Sequence, residues 1–257
     1  MDSVVYGPVP SWRLGRSLGI DLLSTKGKTC SFDCLYCQLG RTAHPLAERR
    51  EFVPLARLAA DLDRILPVEG DYVTFSGVGE PTLASNLGPA METARRILGW
   101  PVAVLTNSSL MPDEGVRREL ALADVVVAKL DAPSEDIFRL VNRPTTPYPL
   151  HEVVEGIRLF RSHYRGKLAL QMMFIRENRS CALLMAKLAA ELSPDEVQIN
   201  TPLRECSVDP LPPEDIAAIK DEFKGLGVVV TVYEARRPRI APANAKETLR
   251  RRPKERS

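Results

Sequence analysis

Apolar residues fall in short runs separated by longer stretches of mixed polarity. Runs at residues 18–23, 72–76, 102–106, 125–130, 168–174 and 197–200 are rich in Val, Leu and Ile. Short, nearly continuous apolar runs of this kind predict strands buried on both faces. Between them apolar residues recur at helical spacing, as Leu55, Leu58, Leu62 and Ile65 do, and again Val153, Ile157 and Phe160. Strands that alternate with helices imply a parallel sheet, because parallel neighbours need a crossover. Alternation alone fits an open doubly wound sheet as well as a barrel. A run at 228–233 reads as one extra strand, and no internal repeat interrupts the pattern.

Length changes the picture little, since 257 residues suit a single α/β barrel domain. Charge changes it more. The net charge is only +2, but residues 235–257 hold nine Lys and Arg against Glu247 and Glu255, which puts +7 on the tail and −5 on the rest. The expected organisation is a domain over 1–234, with 1–17 as an N-terminal extension, and a basic, flexible tail over 235–257. Such a tail suits RNA phosphates, although a solvated basic tail with no partner is the plain alternative. Among five cysteines, three share one short window and Cys181 and Cys206 stand alone as expected buried thiols. This is no disulfide framework and suits a reducing cytoplasm. No apolar run approaches a membrane span or a signal sequence, so a cytoplasmic protein without membrane contact is expected.

The three clustered cysteines, Cys30, Cys34 and Cys37, have the spacing CxxxCxxC. Three thiolates on one loop can hold three irons of a [4Fe–4S] cluster and leave the fourth iron open. The rival reading is a structural zinc with His44 as fourth ligand, in an RNA-binding module without catalysis. His151 and His163 lie in a helical stretch and read as surface residues. Gly77, Gly79 and Glu80, in the run Gly77-Val78-Gly79-Glu80-Pro81, follow the second strand; they permit close backbone approach to a ligand, or form an ordinary tight turn. Asn107 ends the third strand beside Thr106 and Ser108 and is a polar ligand contact or a turn residue. Period two puts Lys129 and Asp131 on one face at the mouth of the fourth strand, as ligand contacts or as a mutual salt bridge. Gln171, Gln198 and Asn200 are candidates by the same geometry. Lys26 and Lys28, near the cysteines, are Schiff-base candidates or solvated loop lysines.

The cysteine run, with aromatic Tyr36 just before Cys37, resembles the signature of the radical S-adenosylmethionine superfamily. Tyr6-Gly7-Pro8-Val9-Pro10-Ser11, Lys28-Thr29-Cys30, Cys37-Gln38-Leu39-Gly40 and Phe75-Ser76-Gly77-Val78-Gly79-Glu80-Pro81-Thr82 look like its wyosine-synthase-like branch, over roughly residues 4–202. The resemblance implies a partial (β/α)6 TIM-like barrel of parallel strands with helices outside, and a site at the C-terminal ends of the strands. It implies a [4Fe–4S] cluster on Cys30, Cys34 and Cys37, whose open iron the amino and carboxylate groups of S-adenosylmethionine chelate. Tyr36 would then lie near the adenine and Asn107 near the ribose, and Gly77, Gly79, Glu80, Asn107, Lys129, Asp131, Gln171, Gln198 and Asn200 would contact the cofactor. Reduced flavodoxin or ferredoxin would supply the electron that yields methionine and a 5′-deoxyadenosyl radical for hydrogen abstraction. Known wyosine synthases add N-terminal cysteines for a second cluster, and no cysteine precedes Cys30 here. The substrate stays open between tRNA or another RNA, a small metabolite, a peptide and a partner enzyme to be activated.

Overall fold

Two strands, β1 (Val5–Ser11) and β2 (Gly15–Ile20), form an antiparallel hairpin at the start of the computed structural model, which describes residues 2–255. Two-residue strands β3 (Thr29–Cys30) and β4 (His44–Pro45) pair in the loop that follows, ahead of α1 (Leu55–Asp63). Then come β5 (Tyr72–Phe75), α2 (Leu87–Leu98), β6 (Val102–Thr106), α3 (Glu114–Leu120), β7 (Val125–Lys129), α4 (Glu135–Val141) and α5 (Leu150–His163). The chain continues through β8 (Lys167–Met173), α6 (Ala182–Leu192), β9 (Glu196–Asn200), α7 (Pro213–Glu222), β10 (Val229–Thr231) and α8 (Ala245–Arg251).

Eight strands make one sheet in the order β1-β2-β5-β6-β7-β8-β9-β10, and every pair except β1–β2 is parallel. The sheet curls into a half-barrel with the helices around it. Strand alternation decides which residues face which side. Val102, Val104, Val126, Ala128, Leu168 and Leu170 join Leu58, Leu87 and Met91 in the large core under the helices. Their neighbours Ala103, Val125, Val127 and Ala169 close one end of the barrel interior against Leu14 from the β1–β2 turn. Further along the same inward rows come Lys129 and Gln171, so the interior changes from apolar to polar toward the C-terminal ends.

Two expectations about the chain ends are corrected. Residues 5–11 are not an extension but the edge strand β1, which Gly7, Pro8 and Pro10 disguise, since proline is confined to sheet edges. The segment expected to be a flexible tail is packed through residue 255. Ala243 N and Gly7 N bond to Gly7 O and Thr248 Oγ1 at 2.8 and 2.9 Å, which sets α8 along β1. Arg204, in the loop after β9, donates to Pro253 O at 2.8 Å and to Glu255 Oε1 at 3.0 Å. The C-terminal segment thus runs from β1 to the loop beyond β9 across the open side of the half-barrel. Its basic composition misleads because Arg251 is buried between Asp21 and Glu247. Among the described residues no helix is long and apolar enough to cross a membrane.

Candidate active site

The cysteine loop is pinned from both sides. Thr29 N donates to Val78 O at 3.0 Å and Glu80 N donates to Thr29 O at 3.2 Å, which ties the loop to the glycine segment after β5. A Cβ on Gly79 would lie 1.5 Å from Thr29 O, so only glycine permits this approach. On the other side Asp33 N and Leu35 N donate to Asn142 O and Val141 O at 3.1 and 3.0 Å, at the end of α4. Phe32 packs edge-on against Phe138 of that helix, ring centres 5.3 Å apart.

All three thiols are free. Burial pushes Cys30 up to about 12, and burial followed by the Asp131 charge raises Cys34. Lys28 is buried, and its Nζ has no oxygen or nitrogen partner. Burial works to lower its pKa, yet Cys37, Cys30 and Cys34 together outweigh that and hold it above the ordinary lysine value. Lys28 in turn offsets part of the burial penalty on the Cys30 and Cys34 thiolates, the form that binds metal. Lys26 is exposed on the same loop.

Glu80 and Asp131 hold the site together from within. Glu80 accepts from Thr82 N at 3.1 Å, Thr82 Oγ1 and Thr106 Oγ1 at 2.7 Å, and Asn107 N at 2.6 Å. Burial nonetheless keeps its carboxyl above the usual range. Asn107 in turn points Nδ2 at Ser31 Oγ, 2.9 Å, and Cys30 Sγ, 3.5 Å. Asp131 accepts from Tyr36 OH, from Asn142 Nδ2 and Met173 N at 2.7 Å, and pairs with Lys129 Nζ at 3.4 Å. Lys129 also lies 4.6 Å from the centre of the Tyr36 ring. Burial, then Asp131 and Cys34, raise Tyr36 well above its ordinary value, so its hydroxyl stays a donor.

The barrel encloses a cavity of about 290 Å³. Of the predicted cofactor contacts, Tyr36, Gly77, Lys129, Gln171 and Asn200 line it, and Cys37 opens into it. Gly79, Glu80, Asn107, Asp131 and Gln198 do not line it. Glu80 and Asp131 take their hydrogen bonds from protein donors, which makes them positioning residues for the loop and the cavity wall. Gln198 is buried and donates to Glu196 Oε1 at 2.6 Å. Sequence reasoning missed Asn142 and Asn178, whose side chains tie Asp131 to its surroundings; Asn178 Nδ2 donates to Asp131 O and Met173 O at 2.8 Å. Neither stands in any motif.

The zinc alternative fails on geometry. His44 is exposed and its Nε2 meets Lys26 O at 3.0 Å. Among the described residues no three His, Cys, Asp or Glu side chains converge where one ion could bind them. His151 and His163 are exposed, as read, whereas Cys181 and Cys206 are only half-buried.

Comparison with known proteins adds the family. The radical SAM superfamily model matches residues 25–189. The UPF0026 protein slr1464 of Synechocystis sp. is 43% identical over 206 residues, 78% of this chain and 76% of that one. The UPF0026 protein MJ1312 of Methanocaldococcus jannaschii is 38% identical over 224 residues, 84% and 69% of the two chains. A radical SAM methyltransferase from Sphaerobacter thermophilus shares the fold with a TM-score of 0.61 at 16% identity, over 84% of this chain and 65% of that one. The enzyme anSMEcpe, solved with bound AdoMet, does so at 0.62 and 20% identity, over 84% and 64%. This chain spans just under two thirds of each of those solved chains. The family match spans the cysteine loop and strands β5 to β8 of the parallel half-barrel, and the chain belongs to the radical SAM superfamily, among the UPF0026 proteins.

Proposed function

We propose that this protein is a radical S-adenosylmethionine enzyme whose Cys30, Cys34 and Cys37 hold a [4Fe–4S] cluster. The observation that carries the reading is the loop itself: three free thiols around one buried lysine, opening through Cys37 into a polar cavity. When bound, the cluster and S-adenosylmethionine would supply one-electron cleavage and hydrogen-atom abstraction, with reduced flavodoxin or ferredoxin as electron donor. The chain's own residues position and exclude. Glu80 and Thr82 fix the turn beneath the cysteines, and Asn107 directs an amide toward Cys30. Asp131 orients Tyr36 and Lys129 at the cavity wall, where Gly77, Gln171 and Asn200 offer backbone and amide groups to the cofactor. The closing segment over 243–255 keeps bulk water from the open side.

A wyosine-type reaction on tRNA is the second reading, favoured by the flanking motifs. Anaerobic reconstitution tests both. About four irons per chain, 5′-deoxyadenosine formation with dithionite, and loss of both in Cys30→Ala, Cys34→Ala and Cys37→Ala support the proposal. Cys181→Ala and Cys206→Ala should leave both intact. Colourless protein without iron would refute it, and about eight irons would indicate a second cluster and the wyosine-type chemistry.

A further inference from the structure

The cavity carries a second chemistry on the side away from the cysteines. Arg13 from the β1–β2 turn, Arg204 from the loop after β9, Arg237 from the stretch between β10 and α8, and Arg252 from the closing segment all line it. Lys129 and Arg251 line it too, but Asp131 neutralises the first and Asp21 with Glu247 the second. Among the described residues Glu255 is the one carboxylate on the wall. It reaches Arg204 Nη2 at 3.0 Å and Arg237 Nη1 at 2.6 Å. Among the described residues the Arg252 side chain bonds to the Pro10 carbonyl, at 3.0 Å, and to no carboxylate. Arg13 lays its guanidinium over the Trp12 ring at 4.3 Å, and its Nε is out of solvent contact with no hydrogen-bond partner.

Four cations thus share one anion in a partly enclosed space. Burial, then Arg252, Arg204 and Arg237, push Arg13 down to about 9, and burial, then Arg252, push Arg204 down to about 10. Half-buried guanidinium groups that outnumber the carboxylate beside them leave room for a further anion. Planar, forked donors match the geometry of phosphate, which offers three oxygens and close to two charges where a carboxylate offers two oxygens and one. A single carboxylate would satisfy one or two of these groups and leave the rest.

We propose that the substrate is a small phosphorylated molecule whose phosphate end is seated on Arg13, Arg204, Arg237 and Arg252, with Glu255 holding two of the four in the free protein. The inference rests on the proposed radical reaction for its chemical end and on the arginine cluster for its anionic end. Small size follows from the lining: of the arginines that read as an RNA-binding tail, Arg237, Arg251 and Arg252 face a cavity of about 290 Å³, whereas Arg236 and Arg239 are exposed.

Pyrophosphate is the probe. Full-length, cluster-reconstituted protein is titrated by calorimetry, with and without S-adenosylmethionine, beside Arg13→Gln, Arg252→Gln, Glu255→Gln and Arg118→Gln, each checked for folding by circular dichroism. Arg118 is exposed and pairs with Glu114 on α3, so it reports non-specific charge. Saturable binding, weakened tenfold or more in Arg13→Gln and Arg252→Gln, tightened severalfold in Glu255→Gln and unmoved in Arg118→Gln, supports the seat. No saturable binding, or equal weakening in Arg118→Gln, overturns it. Binding of bulk tRNA with this dependence and none of pyrophosphate overturns the small substrate. Cleavage of S-adenosylmethionine without pyrophosphate binding defeats this inference alone, whereas pyrophosphate binding without cleavage supports the seat and defeats the functional reading.

Discussion

Arg251 Nε lies 2.8 Å from Asp21 Oδ2, with both side chains buried, and bolts the end of the chain to the loop after β2. The same guanidinium reaches Glu247 through Nη1 and Ser3 O through Nη2, so one cation answers two buried carboxylates. Removing it leaves Asp21 with only the Leu23 and Ser24 amides and Glu247 with Arg250, 3.7 Å away. Arg251→Met should lower stability by about 3–5 kcal/mol in urea unfolding, the range for breaking a buried pair. Adding Asp21→Asn should cost less than the sum of the single changes, because the stranded charge goes with it. A loss below about 1 kcal/mol in Arg251→Met would mean that the closing segment is not held by this pair.

Asp131 makes a second such centre, beside the cysteines. Asp131→Ala leaves Tyr36 OH, the Asn142 amide and Met173 N–H without their acceptor and Lys129 without its counter-ion. Asn142 Nδ2 also lies 3.6 Å from Cys34 Sγ, so the disturbance reaches the loop directly. The expected outcome is about 2–4 kcal/mol less stability together with reduced iron uptake. Lys129→Met, on the cavity wall, should keep iron and fold while weakening retention of S-adenosylmethionine in equilibrium dialysis. Full iron and unchanged stability in Asp131→Ala would show that the loop does not depend on this carboxylate.

The strands were legible because burial on both faces leaves a local mark: the runs at 18–23, 72–76, 102–106, 125–130, 168–174, 197–200 and 228–233 all overlap strands of the sheet. The first run overshoots, since Asp21 leaves β2 and uses Oδ1 to accept from Leu23 N and Ser24 N. β1 was hidden by its prolines, an edge-strand licence that composition cannot distinguish from a loop. Cysteine spacing and the glycine run were legible because both are local. The work of Glu80 and Asp131 was not, since their donors include Asn107, Tyr36 and Met173, 27, 95 and 42 residues away. The same holds for Arg251, whose partner Asp21 lies 230 residues earlier. A basic tail and an inward-facing arginine cluster have one composition, and only long-range packing separates them.

Gly79 tests the contact between the glycine segment and the cysteine loop. A methyl group there would meet the Thr29 carbonyl oxygen, which is backbone and cannot rotate away, at 1.5 Å. Gly79→Ala should displace Thr29 and Cys30 and cut iron uptake on reconstitution by more than half. Gly227→Ala, where nothing lies within 4 Å, is the control and should stay within about 0.5 kcal/mol of the parent. Equal iron in both variants would mean that the close approach is not required.

Asp124 carries a pH dependence at the opposite end of the strands. Its Oδ2 accepts from Val102 N at 2.7 Å, where β6 begins, and from Arg95 Nη2 at 2.8 Å. Burial works to raise its pKa, but the Val102 amide and then Arg95 outweigh it, and the carboxyl is held below the usual range. A carboxylate whose folded pKa is depressed contributes stability that is present above the unfolded value, about 3.9, and lost as pH falls through the folded value. Asp124→Asn should therefore have a lower urea midpoint than the parent at pH 7. Between about pH 5 and pH 2 the two midpoints should converge, with the parent falling faster. Half of the Asp124 side chain is exposed, so the gap at pH 7 is expected to be small and to narrow further in salt. A gap that stays constant down to acid pH would show that Asp124 acts through shape alone.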